Sequence, residues 1–225
     1  MKNLKISPET VFSIGPVGVT ETVIVTWLVM AAIALFCLVA TRRLDLRPTR
    51  MQEMLEALYM AIEGTVKDIV PVDPAFVIPV LGTLWILIGV SNLAGLVPGL
   101  STPTADINAT FALAVVAYSM SHVAGIRARG LRGYISHYRE PTWLLLPFHL
   151  IAEVTRTVAL AVRLFGNMLS GEMVALILLG VAGFLVPVPF ALLHIVIGLI
   201  QAYIFGMLTL VFIAGGVGAK PRKGG

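Results

Sequence analysis

Five polar residues stand in the C-terminal third of the chain among almost wholly apolar neighbours. Arg163, Asn167 and Glu172 lie in VRLFGNMLSGEM (162–173), and His194 and Gln201 lie in LHIVIGLIQAYIF (193–205). Each type offers a distinct chemistry. Arg163 carries a charge that it cannot shed. Glu172 and His194 can take up and release a proton near neutrality when burial shifts them. Asn167 and Gln201 can only hydrogen-bond and position. Chains of such groups inside a membrane mark ion and proton pathways, since an arginine at mid-bilayer costs about 3 kcal/mol or more.

Their spacing fits a helix. His149, Arg156, Arg163 and Ser170 follow one another at intervals of seven, with Asn167 one turn from Arg163. At about 100° per residue these form one polar stripe. Glu172, nine positions beyond Arg163, falls nearly opposite. The helix therefore presents a fixed positive charge on one surface and a titratable carboxylate on another. His194 and Gln201 are also seven apart, on a following helix, where a Glu172–His194 pair becomes plausible.

These residues need a membrane around them. The 225 residues are 58% hydrophobic and only 12% charged, with a mean hydropathy of +0.94, about half the charge of a soluble domain. The net charge of +4 resides in short segments between apolar runs, which excludes a nucleic-acid-binding reading. One cysteine, Cys37, allows no disulfide framework. Four scattered histidines make no metal site, and no nucleotide-binding glycine loop occurs. No cofactor and no self-contained catalytic centre are expected.

The expected architecture is an all-α integral membrane protein of one domain, with five transmembrane helices and one amphipathic interfacial helix. After an external segment, 1–22, a first span covers 23–40. The segment 49–70 repeats apolar residues at Met51, Met54, Leu55, Leu58, Ile62, Val66 and Ile69, with Thr49 and Gln52 as a capping box. It is too polar to span and is expected at the membrane surface. Spans follow at 77–100 and 107–126, with RARGLRGYISHYRE as a loop. Two long helices, 142–179 and 190–217, are separated at FLVPVPF by Pro187 and Pro189. The first would be roughly 55 Å long against a hydrocarbon core of about 30 Å, so it must tilt, kink at Pro147 or Gly166, or emerge.

Basic residues sort to one side. Twelve, from Arg42 through Lys223, fall on the side reached after an odd number of spans, and only Lys2 and Lys5 fall on the other. The positive-inside rule then puts the C-terminus in the cytoplasm and the N-terminus outside. Of the remaining polar residues, Glu153 is expected to partner Arg156. Asn92 and Asp106 are expected to cap turns near the external ends of their spans.

RLFGNMLSGE and LHIVIGLIQAYIF, with NLAGLVPG and PTADINATFALA, resemble subunit a of the F-type ATP synthase over roughly residues 20–217. The resemblance implies the stationary ion-translocating subunit of a rotary motor in a prokaryotic inner membrane. Two tilted helices would lie against a ring of c subunits, with peripheral-stalk b subunits and lipid as further partners. It implies that Arg163 is the essential arginine and that Asn167, Glu172, His194 and Gln201 line an external half-channel for protons or sodium ions. Two positions depart from the pattern. His149 stands where many members carry a carboxylate, and Thr157 stands where a proline often follows the basic residue. The compact length resembles forms from alternative synthase operons. The competing reading is a stand-alone channel or secondary transporter, which would usually show an internal repeat; none is evident.

Overall fold

The computed structural model describes residues 10–14, 17–42, 49–70, 74–95, 102–139, 146–183 and 187–218. Six α-helices dominate: α1 (Glu21–Thr41), α2 (Arg50–Ile69), α3 (Pro74–Ala94), α4 (Ile107–Arg139), α5 (Leu146–Ala182) and α6 (Pro187–Val217). Five of them, all but α2, are long and apolar enough to cross a membrane. The fold is that of an all-α integral membrane protein. A short antiparallel hairpin, β1 (Thr10–Ile14) and β2 (Val17–Thr20), leads directly into α1, a feature the sequence does not announce.

The interfacial helix is capped at Thr49 as expected. Thr49 Oγ1 accepts from Gln52 N at 3.4 Å, while Gln52 Nε2 donates to Glu56 Oε1 at 2.8 Å. Its apolar stripe divides in two. Ile62, Val66 and the following Val70 are buried against α3 and α6, whereas Met51, Met54 and Leu58 remain exposed. The helix thus docks by its C-terminal half and leaves its N-terminal half for another apolar phase. Glu63 accepts from Lys67 at 2.7 Å, which raises the lysine's pKa.

At the centre, α6 packs against α3, α4 and α5. One core cluster joins Val66, Leu81, Ala124, Leu210 and Ile213. A second joins Ile88, Ala114, Ala117, Leu160, Ala161, Leu164, Met168, Ala202 and Phe205. Its alanines let the backbones approach closely, the usual device where lipid removes the hydrophobic drive for helix association.

The structure differs from expectation in the arginine-rich segment after the third span. RARGLRGYISHYRE is not a loop through most of its length, since α4 continues helically to Arg139 across a kink at Gly130 (φ 71°, ψ 161°). Only a residue without Cβ takes that conformation without strain. A helix leaving a membrane can turn polar without ending, so composition alone could not separate helix from loop here. At the same end, Arg129 Nε donates to Val217 O at 2.7 Å, tying α4 to the last turn of α6, and Arg127 lies 4.2 Å over the Phe76 ring of α3. Pro147 is the second residue of α5, where proline is tolerated, and α5 runs on as one helix through Gly166. The Pro98–Gly99 turn lies outside the described residues.

Candidate functional site

The site is assembled by α5 and α6 running antiparallel. Arg156 lies 5.3 Å over the Phe212 ring, and Asn167 Nδ2 donates to Gln201 Oε1 at 2.7 Å. Each pair is eleven residues from the other on both helices, so a constant register holds across about three turns. One turn further along α5, Gly171 meets His194, about three residues off that register. The His194 imidazole occupies the space that a Cβ on Gly171 would take, so glycine is what permits this approach.

Burial on α5 explains which way the polar stripe faces. Thr157, Leu160, Ala161, Leu164 and Met168 form the inward face, at helical spacing. His149, Arg156, Arg163 and Ser170 all fall outward and are exposed. Ser170 Oγ donates to Asn167 O at 3.1 Å. Arg163 has no hydrogen bond or ion pair among the described residues. Its surroundings are apolar: Val158, Val162 and Val174 of α5 are likewise exposed. Gly166, one turn along, has open space where a side chain would stand. The guanidinium therefore sits on an outward face of a membrane helix, with exposed valines beside a sparse polar stripe.

Glu172 and His194 are half-buried at neighbouring levels, yet no hydrogen bond or ion pair joins them among the described residues. Gln201 is only 3% exposed, and its Nε2 has no partner among the described residues, leaving a donor for water or an ion's hydration shell. The seven-residue spacing gave the shared face of the polar stripe, but neither the Asn167–Gln201 hydrogen bond nor the separation of Glu172 from His194.

The secondary candidates fall elsewhere. Asp106 is a helix cap: its Oδ1 accepts from Asn108 N at 2.8 Å and its backbone carbonyl from Thr110 N at 3.1 Å. Asn92 is not a turn cap. It is buried, donates to Gly198 O of α6 at 2.8 Å and accepts from Thr104 Oγ1 at 2.5 Å, joining α3, α6 and the 3₁₀ turn Pro103–Ala105. Among the described residues no ion pair joins Glu153 to Arg156. Glu153 faces α4, with Oε1 at 3.9 Å from His122 Nε2.

Comparison with known proteins decides the family. The family model described as ATP synthase A chain matches residues 23–214. The chain belongs to the ATP synthase subunit a family. It is 49% identical to ATP synthase subunit a 1 of Hahella chejuensis over 90% of this chain and 86% of that protein. It is 49% identical to ATP synthase subunit a 2 of Pelobacter propionicus over 93% and 92% of the two chains, and 46% identical to ATP synthase subunit a of Legionella pneumophila over 94% and 93%. As a family member it is a multi-pass membrane subunit of a prokaryotic F-type ATP synthase. It takes part in ATP synthesis and ion transport within a complex of several subunits.

Proposed function

We propose that this chain is one polytopic domain acting as the stationary half of the motor, its α5–α6 face set against a rotating ring of c subunits. The carrying observation is Arg163: a permanent charge on an exposed face of a membrane helix, without a hydrogen bond or ion pair among the described residues of its own chain. Such a charge is costly in lipid, so the reading supplies its partner from outside, as a carboxylate on the ring. Gly166 leaves room for a ring helix to approach.

In this reading the N-terminus lies outside and the C-terminus in the cytoplasm, and peripheral-stalk b subunits hold the chain still. An ion enters from outside past Asn167, Glu172, His194 and Gln201 and neutralises a ring carboxylate. The ring turns through lipid. When the carboxylate returns to Arg163, the opposite charge favours its ionised form, and the ion leaves toward the cytoplasm. Arg163 also repels a cation passing directly between the two half-channels. A direct leak would dissipate about 2.3 kcal/mol per charge at 100 mV.

The test is Arg163→Ala in inverted vesicles holding the whole complex. ATP-driven pumping is expected to vanish and passive proton permeability to rise. Full coupled pumping by the variant would overturn the proposal.

A further inference from the structure

Asn167, Glu172, His194 and Gln201 serve only one side of Arg163. Along α5, Glu172 lies nine residues beyond the arginine, and Glu153 lies ten residues before it. These are about 14 and 15 Å in opposite directions at 1.5 Å per residue. On the Glu153 side the seam between α4 and α5 holds a second set of titratable groups. His122 Nε2 is 3.9 Å from Glu153 Oε1. His122 Nδ1 lies 3.0 Å from Tyr118 O and 3.2 Å from Ser121 Oγ. The Tyr118 and Tyr134 rings flank the imidazole at 4.1 and 5.9 Å. The side chains of His122 and Glu153 are 27% and 23% exposed, so the pair is neither sealed nor free.

We propose that Glu153 and His122 form a proton-transfer station between Arg163 and the end of the bundle where α4 leaves and α5 begins. The proposal rests on the reading of Arg163 given above. The tautomer follows from the contacts: with Nδ1 facing a carbonyl oxygen, the proton sits there and Nε2 turns its lone pair toward the carboxyl group. A proton on Glu153 passes to Nε2 as the O–H bond breaks and the N–H bond forms, leaving carboxylate and imidazolium; the reverse step restores both neutral groups. At 3.9 Å, one water or a small side-chain turn completes the link.

A purely structural ion pair is the weaker account. Ala114, Ala117, Leu160 and Ala161 already close the seam between α4 and α5. Among the described residues, the other ionisable groups near the pair include Tyr118 and Tyr134 of α4 and, one turn away on α5, His149 and Arg156. On α6 the titratable residues are His194 and Tyr203, both far along the helix from Phe212, which lies at the level of Arg156.

The experiment uses inverted vesicles with the intact complex, in which the external pH bathes the cytoplasmic side. Glu153→Gln is expected to lower ATP-driven pumping at least fivefold at unchanged content of assembled complex, with Glu153→Asp restoring most of it. His122→Gln removes the imidazole that would receive the proton. Because an imidazole takes up a proton at higher pH than a carboxyl group does, the alkaline limb of the pumping profile should then move down by about one pH unit or more. A tether alone would change amplitude with assembly and leave the limb in place. Wild-type pumping in Glu153→Gln, or an unmoved limb in His122→Gln, overturns the station. Arg163→Ala, run in parallel, separates the two ideas: if it uncouples while Glu153→Gln pumps normally, only the station fails.

Discussion

Asn92 sets a testable price on interhelical polar contact in this subunit. Its amide is 4% exposed, gives one hydrogen bond to Gly198 O at 2.8 Å and takes another from Thr104 Oγ1 at 2.5 Å. In Asn92→Ala both are lost. Gly198 O remains within α6, where the helical ladder still uses it, but Thr104, 1% exposed, keeps an orphaned hydroxyl. Interhelical hydrogen bonds in membranes average about 0.6 kcal/mol, while an unsatisfied buried donor costs about 1–3 kcal/mol. The two together put the variant about 2–3 kcal/mol below wild type. For a chain of this size that corresponds to a fall of about 4–12 °C in the midpoint of thermal unfolding.

The measurement is the thermal midpoint of this subunit within the detergent-solubilised complex, for Asn92→Ala, Thr104→Ala and the double variant. Because the hydroxyl orphaned by the first change is deleted by the second, the double variant should be no less stable than Asn92→Ala alone. Additive losses, or an Asn92→Ala midpoint within about 1 °C of wild type, would refute the idea that the pair acts as one buried clasp. Gly198 lies three residues before Gln201 and four after His194, so ion flux should fall along with the midpoint.

Two further changes act on the α5–α6 interface. Glu172→Gln removes the titratable carboxyl group while keeping its shape, and should slow proton flux in vesicles several-fold with the ring still assembled; unchanged flux would take Glu172 off the path. Gly171→Ala places a methyl group where the His194 ring lies. Overpacking of this kind costs about 1–3 kcal/mol, so reduced thermal stability and reduced flux should appear together, and wild-type values for both would contradict the close approach.

The residues legible in the sequence and those that were not are separated by one physical distinction. Arg163, Glu172 and Gln201 stood out because an apolar solvent makes any polar side chain conspicuous. The phase of α5 followed from spacing alone, since seven residues return to the same face, and His149, Arg156, Arg163 and Ser170 do all face outward. What a face meets depends instead on how neighbouring helices are shifted and rotated. Thus Glu153 seemed matched to Arg156, its neighbour on the same helix, but α4 brings His122 against it from 31 residues away in the chain. Asn92 resembled a turn residue until α6 supplied the Gly198 carbonyl. Glu172 and His194 lie at neighbouring levels, yet the Gly171–His194 contact fixes the approach and leaves the carboxyl group unbonded to the ring. The same logic bears on Arg163. It shares the phase of the exposed stripe and has no hydrogen bond or ion pair among the described residues, which is why the proposed function looks to another chain for its partner.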